Sequence, residues 1–224
     1  MNYNEIIKTL KSNKNPKNIA GMAKFGISSK NTLGVSVPIL RGLGKKIGKN
    51  QELALKLWQS GIHEARILAS IVAEPQKMSW RDAERWIGDF DSWDTCDQAC
   101  MNLFRYMSGA PGKTLAWTKK KDEFTRRAGF ALMAALAFAK NNMSDGEFKK
   151  FFPAIKKYAT DERNYVRKAV NWALRQIGKR NLALNKEALK VARQIAKINS
   201  KSAKWIAGDA IRELTSPAAQ RRLK

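Results

Sequence analysis

The chain has 224 residues, of which 44% are hydrophobic, so its length suits one domain or repeat array and its composition excludes a disordered protein. Its longest apolar run, 128–139, is too short to cross a bilayer, and the N-terminus lacks a signal-peptide core, so we expect a cytoplasmic protein with no membrane partner. Lys and Arg total 43 against 19 Asp and Glu, a net charge of +24. That excess predicts a polyanionic partner, foremost nucleic acid, ahead of an anionic membrane surface or a basic surface without a binding role.

Helical signals recur along the first half of the chain, and alternating strand patterns do not. We predict helices at 4–10, 19–25, 36–47, 52–59, 62–73 and 79–88. Ser36 is interpreted as an N-cap with Pro38 in the first turn, and Gly48 and Gly61 as helix ends. A further helix is predicted to open at Asp91 or Ser92.

The second half continues the helical pattern. Pro111 with Gly112 predicts a break in the chain, and Ser144 with Glu147 forms a capping-box pattern. Thr160 or Asp161 is interpreted as the cap of a helix that runs to Gly178. The predicted helices are 115–119, 124–139, 144–158, 160–178, 185–198 and 202–214, with a last turn at 216–217.

A repeat is visible in four segments, each with a polar residue before Ala and then apolar positions at helical spacing. The segments are HEARIL (63–68), RRAGFALMAAL (126–136), RKAVNWALRQI (167–177) and GDAIREL (208–214). Helical-hairpin repeats of this length stack side by side. We therefore predict an all-α fold, a curved α-solenoid of HEAT-like repeats with a basic concave groove. We expect a single domain over 1–224 and a monomer.

Positive charge is concentrated in the second half, where residues 110–224 hold 27 basic and 9 acidic side chains. Residues 79–109 are instead acidic, with 3 basic and 6 acidic side chains. This acidic stretch contains Trp93 and Asp97, which share one face of a helix because they are four residues apart. They form a candidate site.

If the second helix of each hairpin lines one surface, Trp93 and Asp97 come close to Arg127 and Trp172. Two indoles, a carboxylate and cations suit a reaction on DNA in which positive charge develops, such as loss of an alkylated purine. A structural role is the alternative, with the tryptophans (58, 80, 86, 117 and 205 among them) in the core and Arg127 paired with Asp97. Asp94 lies in the first turn, where the helix dipole alone explains a carboxylate.

The two cysteines, Cys96 and Cys100, are interpreted as buried reduced thiols. A zinc site needs more ligands, since His63 is the single histidine. A cysteine nucleophile with His63 as its base stays open as an alternative that nothing else supports. We expect neither a metal nor a cofactor.

Three blocks carry a resemblance to a known family: SWDTCDQ (92–98), TRRAGFALM (125–133) and RKAVNWALRQIGKRN (167–181). They resemble the HEAT-like-repeat DNA alkylation-repair glycosylases, the AlkD family, and the similarity extends from about residue 22 to 215. The resemblance implies a C-shaped solenoid that holds double-stranded DNA. It also implies a monofunctional, nucleoid-associated enzyme that releases cationic N3- and N7-alkylated purines without base flipping.

Residue by residue, the resemblance implies that Asp97 is the catalytic carboxylate and that Trp93 and Trp172 pack on the deoxyribose. Arg127 and Arg175 match DNA-binding arginines, and Lys179 and Arg180 follow on the same helix. Phe25 stands where the family has a tyrosine, and Ser92 where it has a second tryptophan before Trp93. Two alternatives remain. One is a non-catalytic binder of damaged, bent or branched DNA, and the other is a scaffold for an acidic protein.

Overall fold

The computed structural model describes residues 1–139 and 142–223, and every regular element in those ranges is a helix. The prediction of an all-α chain is therefore confirmed. No helix in the described ranges has both the length and the apolar character needed to span a membrane. The chain divides into two compact units, Met1–Ser108 and Gly109–Lys224. The single domain expected from the sequence stays a prediction.

The first unit consists of seven α-helices and a 3-10 turn in the part of it that the structure describes. They are α1 (Tyr3–Ser12), α2 (Pro16–Lys24), α3 (Val37–Ile47), α4 (Gln51–Gln59), α5 (His63–Val72), α6 (Trp80–Gly88), α7 (Trp93–Asn102) and the turn Phe104–Tyr106. α4 packs against α5, and α5 packs against both α3 and α7.

The second unit contains the longer helices. They are α8 (Ala110–Thr118), α9 (Glu123–Phe138), α10 (Asp145–Lys149), α11 (Phe152–Lys157), the 3-10 turn Tyr158–Thr160, α12 (Asn164–Gly178), α13 (Leu182–Ala196), α14 (Lys201–Leu214) and α15 (Pro217–Leu223). α8 with α9 and α13 with α14 form hairpins, and α12 packs against both α9 and α14. Successive second helices of the hairpins are therefore neighbours within each unit, as the repeat predicts.

The polar residues at helix starts account for most of the boundaries. Ser79 accepts a hydrogen bond from the backbone N–H of Asp82 at 3.1 Å, which satisfies one of the free donors in the first turn of α6. Ser144 and Glu147 form the predicted capping box at α10. Gly48 ends α3 with a φ of 74°, a conformation that favours glycine.

Proline accounts for two boundaries that the sequence predicted wrongly. Pro111 was expected to break the chain, but it lies in the first turn of α8, where the missing N–H costs nothing. Pro153 likewise lies in the first turn of α11 and separates that helix from α10, so the single helix predicted for 144–158 is wrong.

The predicted cap of α12 is also wrong. The N-cap is Arg163, and the Asp161 carboxylate instead binds the Arg126 guanidinium of α9 at 2.8 Å and that of Arg163 at 2.6 Å. Burial alone would raise the pKa of Asp161, but its hydrogen bonds with the two arginines outweigh burial and lower the pKa. Gly178 is the last residue of α12 rather than the residue after it. Asp161 therefore links α9 to the start of α12.

Close backbone contact holds α8 against α9. A Cβ added at Gly129 would meet the backbone N of Thr118 at 2.8 Å and the backbone O of Thr114 at 2.9 Å. Residues 127–137 of α9 are all buried, as their apolar run predicts. The α8–α9 hairpin is therefore closely packed in the second unit's core.

The tryptophans are divided between core and surface. Trp58 and Trp86 stack in the first unit with ring centroids 4.0 Å apart, and both are buried. Trp117 is buried in the second unit, whereas 40% of Trp205 is exposed. The expectation of a core position is confirmed for the first three and is wrong for Trp205, whose ring lies under the Arg167 guanidinium at 4.8 Å.

Candidate functional site

α7 presents Trp93 and Asp97 on one face. The helix begins at Trp93 with Ser92 as the N-cap residue, which is one of the two caps predicted. The Ser92 hydroxyl does not cap the backbone but forms a hydrogen bond with the Thr95 hydroxyl at 3.0 Å. Trp93 and Asp97 are both partly exposed and lie one helical turn apart.

The Trp93 indole is held by a contact from a distant part of the first unit. Its Nε1 donates a hydrogen bond to the backbone carbonyl of Phe25 at 3.0 Å. Phe25 is the C-cap residue that follows α2 and is 73% exposed, and Gly26 comes next with a φ of 75°. The structure therefore brings together two of the predicted site residues, with the Phe25 ring at the protein surface and the Trp93 ring fixed beside its backbone.

A buried histidine and carboxylate anchor the same helix. His63 Nε2 lies 2.8 Å from the Asp94 carboxylate, and Asp94 also accepts a hydrogen bond from the backbone N–H of Thr95 at 2.9 Å. Burial alone would lower the pKa of His63, but the hydrogen bond and charge of Asp94 outweigh burial and raise it. Burial would raise the pKa of Asp94, and the contact with His63 lowers it. The pair joins the start of α5 to the first turn of α7.

The two cysteines lie on the buried side of α7. Neither Cys96 nor Cys100 forms a disulfide and both are fully buried, so the prediction of buried reduced thiols is confirmed. The His63 ring faces Asp94 and the Thr95 hydroxyl. Across residues 1–139 and 142–223, no three His, Cys, Asp or Glu side chains are grouped as metal ligands are.

Arg127 lies in the second unit, at the start of α9. Its side chain is buried, with 5% exposed, and its Nη1 donates to the backbone carbonyl of Tyr165 at 2.6 Å. Phe124, one turn earlier, stacks on the Tyr165 ring with centroids 5.6 Å apart. Arg127 therefore holds the first turn of α12 as well as carrying a charge.

Trp172 is partly exposed on α12. With the Gln176 amide oriented to satisfy its neighbours, the amide oxygen accepts from Trp172 Nε1 at 3.1 Å and from Lys179 Nζ at 3.2 Å. One amide therefore fixes both the indole and the lysine. Trp172 and Lys179, two predicted site residues, are linked on one face of the helix.

Arg175 and Lys179 share acidic partners on α14. The Glu213 carboxylate binds both of them, at 2.5 Å from Lys179 Nζ, and Asp209 lies 3.3 Å from Arg175. Burial alone would raise the pKa of Glu213, but the hydrogen bond from Lys179 and the charges of both cations lower it. Both predicted DNA-binding cations are therefore held in a network of opposite charges.

Arg180 closes the C-terminus of α9. Its Nη1 donates to the backbone carbonyls of Ala137 at 2.9 Å and Ala139 at 3.1 Å, and its guanidinium lies 4.3 Å from the centroid of the Phe148 ring. Burial lowers its pKa. Carbonyls at the end of a helix lack partners within the helix, so Arg180 stabilises the C-terminal end of α9.

The sequence interpretation missed the partners of these cations. Glu213 follows Arg175 by 38 residues, and Asp209 follows Asn171, whose amide it binds at 2.7 Å, by the same number. Arg127 and Tyr165 are also 38 residues apart. An offset of 38 residues between equivalent positions of successive repeats is the sequence signal that could have identified these pairs.

Comparison with curated proteins gives no significant match. Among solved structures, one described as "A new family of proteins related to the HEAT-like repeat DNA glycosylases with affinity for branched DNA structures" matches with a TM-score of 0.81 and 20% identity. The match covers 100% of this chain and 96% of the other, so the HEAT-like repeat fold predicted from the sequence is confirmed. The family model described as "DNA alkylation repair enzyme" matches residues 6–214. The chain therefore belongs to the DNA alkylation repair enzyme family.

Proposed function

We propose that this protein is a monofunctional DNA glycosylase that releases cationic N3- and N7-alkylated purines from double-stranded DNA without flipping the base. The observation that carries the proposal is the pairing of Trp93 and Asp97 on one partly exposed face of α7, in a chain of this family with a net charge of +24. The excess of cations binds the phosphates, and the carboxylate faces the nucleoside.

Asp97 acts on the sugar in this mechanism. As the bond between C1′ and the purine nitrogen breaks, the bonding electrons stay with the base and neutralise it, and positive charge develops on the deoxyribose. The Asp97 carboxylate stabilises that charge or orients the attacking water, whose oxygen bonds to C1′ and whose proton passes to solvent. The products are the free alkylated base and an abasic site.

The tryptophans suit the same transition state. The face of an indole attracts positive charge, so Trp93, fixed through its hydrogen bond to Phe25, favours a cationic sugar over a neutral one. Trp172 contributes a second indole, held by Gln176. We propose that the exposed Phe25 ring, Arg175 and Lys179 contact the DNA backbone, with no metal or cofactor. Arg127 and Arg180 also bind carbonyls of the fold, and they are proposed to add positive charge that attracts the phosphates.

The test is release of 7-methylguanine and 3-methyladenine from methylated duplex, with Asp97→Asn compared with the wild type. Loss of one such electrostatic contact costs about 2–4 kcal/mol of barrier, which is about 30- to 1,000-fold in rate. The matched control is Asp91→Asn, an exposed carboxylate before the start of α7, which is expected to release base at the wild-type rate. Equal rates for Asp97→Asn and the wild type would remove Asp97 from the mechanism.

A second function, binding of damaged, bent or branched DNA without catalysis, is favoured by the description of the matching solved structure, which names affinity for branched DNA. It predicts that neither methylated base is released by any variant. Binding would then be salt-sensitive and unchanged by Asp97→Asn, while charge removal at Arg175 or Lys179 weakens it. The two functions are separated by the release assay alone.

A further inference from the structure

A pocket of about 550 Å³ opens in the first unit, where α5 and α7 end and the 3-10 turn begins. Its volume lies within the range of about 300–1,000 Å³ that small-molecule sites occupy. The walls that matter for its chemistry are Lys49, Ile71, Met101, Arg105 and Tyr106. None of these residues belongs to the site proposed above.

Arg105 gives the pocket an unsatisfied cation. One of its terminal nitrogens donates to the Tyr106 hydroxyl, and the guanidinium lies 4.6 Å from the centroid of the Tyr106 ring. Its Nε and Nη1 are buried and have no hydrogen-bond partner. Buried donors of a charged group without a partner are costly, so a turn of the guanidinium toward an anionic acceptor in the pocket would lower the free energy of the site.

Lys49 supplies a second cation. Its Nζ donates to the carbonyls of Ile71 at 2.7 Å and Ala73 at 2.9 Å, which leaves one of the three ammonium N–H groups for another acceptor. Burial lowers the pKa of Lys49. The acidic residue on the wall, Glu74, is already paired with Lys77 at 3.0 Å and accepts from the backbone N–H of Gln51. The pocket therefore favours an anion.

The remaining walls combine the amides of Gln76 and Asn102 with apolar and aromatic side chains. Tyr106 is 55% exposed, and Met101 and Ile71 add a polarisable and an aliphatic surface. An exposed aromatic ring beside cations is the arrangement on which unpaired bases stack in single-strand-binding proteins. The combination suits a phosphate joined to a flat, partly apolar group.

The pocket adjoins the candidate reaction centre. Met101 follows Asp97 by four residues on α7, so the two lie on the same face, about 6 Å apart along the helix axis. That distance corresponds to about two nucleotides of one DNA strand. When one nucleotide of a DNA strand contacts Trp93 and Asp97, a nucleotide about two positions further along the same strand therefore lies at the pocket.

We propose that this pocket binds an unpaired nucleotide of the bound DNA, with its phosphate at Arg105 and Lys49 and its base on Tyr106 and Met101. The inference rests on the proposed binding of DNA and adds a substrate class, duplexes that carry an unpaired nucleotide. A paired base stays in its stack, and unpairing it costs free energy that a bulged nucleotide has already lost. Such DNA is therefore bound more tightly than a continuous duplex.

The experiment compares affinities for a continuous duplex, a duplex with a one-nucleotide bulge, and the same bulge without its base, by fluorescence anisotropy. Wild-type protein is expected to bind the bulge about ten-fold more tightly than the duplex. Tyr106→Ala is expected to remove that preference while leaving duplex affinity within two-fold, and to have no effect on the baseless bulge. Arg105→Gln weakens both bulged duplexes, and Arg81→Gln, an exposed arginine on α6, weakens all three DNAs equally.

A fluorescent base in the bulge provides a readout that does not depend on variants folding. 2-Aminopurine at the bulge is expected to be quenched when wild-type protein binds, since it stacks on Tyr106. Unchanged fluorescence, or equal affinity of the wild type for bulge and duplex, overturns the pocket proposal. If the wild type binds none of the DNAs, the proposed function itself fails; tight binding to the duplex without bulge preference refutes only the pocket.

Discussion

Glu213 restrains two of the cations proposed to bind DNA, so its replacement by Gln is a direct test of their role. The side chain keeps its shape but loses the charge that binds Arg175 and Lys179. Two effects then oppose each other. The α12–α14 contact is weakened, and the two cations become available to phosphates.

The magnitudes follow from the exposure of these side chains, which is between 24% and 30%. Ion pairs at such half-buried positions stabilise a protein by about 1 kcal/mol each, so we expect the free energy of unfolding to fall by about 1–2 kcal/mol. A phosphate about 7 Å from the former carboxylate loses a repulsion of about 0.6 kcal/mol in water-like surroundings. The corresponding gain in DNA affinity is about three-fold, and larger where solvent is excluded.

The assay is a salt titration of binding to a continuous duplex. Glu213→Gln is expected to bind more tightly at low salt and to lose affinity more steeply as salt rises, because about one additional phosphate is contacted. Glu187→Gln, at a partly exposed carboxylate on α13, is the matched control, and it is expected to change the affinity and the salt slope only slightly. If Glu213→Gln and Glu187→Gln have the same affinity and salt slope, Arg175 and Lys179 do not contact DNA.

Two further predictions concern stability. His63→Gln is expected to lower the free energy of unfolding by about 1–3 kcal/mol near pH 6, because it leaves Asp94 buried without its partner. Since the pKa of His63 is raised in the folded protein, its contribution to the free energy of unfolding is complete below the unfolded pKa of about 6.5 and is lost as pH rises through the folded pKa. Urea unfolding of the wild type and of His63→Gln from pH 5 to 9 is therefore expected to show the two free energies approaching each other at high pH. Gly129→Ala is expected to destabilise by about 2–4 kcal/mol, since its Cβ meets backbone atoms of Thr118 and Thr114 that do not move. The control Gly208→Ala, which meets nothing within 4 Å, is neutral or stabilising by up to about 1 kcal/mol; a similar loss at both glycines contradicts the packing argument.

The fold was predictable wherever one local rule decides a helix end. Ser79 and Gly48 act as their residue types predict, since a side-chain acceptor or a positive φ is a local requirement. Ser36 occupies the predicted N-cap position, although its hydroxyl makes no capping hydrogen bond. Pro111 and Pro153 were interpreted less well, because proline both ends helices and opens them. Whether a proline ends one helix or opens the next depends on the tertiary packing of the residues that follow it, which a local sequence pattern does not contain.

The candidate site was predictable as a set of residue types but not as a set of contacts. The i, i+4 spacing of Trp93 and Asp97 is a property of the helix, so the shared face of α7 was foreseen. The hydrogen bond from Trp93 to the Phe25 carbonyl spans 68 residues and involves the backbone, so no pattern of side chains encodes it. Asp94 was interpreted as a carboxylate that the helix dipole stabilises, and its contact with His63 was missed. The two residues are 31 positions apart, and stacking of successive hairpins brings them together.

That offset also changes the meaning of the acidic stretch between residues 79 and 109. Trp58 Nε1 donates to Asp89 at 2.8 Å across 31 residues, as His63 contacts Asp94. Asp82 accepts from Arg85 within α6. Much of the local negative charge therefore serves helix packing in the first unit, and its presence alone is no evidence for catalysis. Asp97 differs from these residues, because it lies beyond the first turn of α7, where the helix dipole offers little explanation for a carboxylate.

A carboxylate near DNA has opposite effects on binding and on reaction, and this difference in sign separates a catalytic Asp97 from a structural one. In the ground state Asp97 repels phosphates, so Asp97→Asn is expected to bind undamaged duplex as tightly as the wild type or up to about three-fold more tightly. In the transition state the same charge stabilises the cationic sugar, so excision falls by about two orders of magnitude. A substitution that merely disturbs α7 weakens both activities, as Trp93 and the pocket residues move with the helix. Anisotropy and base release measured on one preparation therefore give opposite changes if the mechanism is right, and parallel losses contradict it.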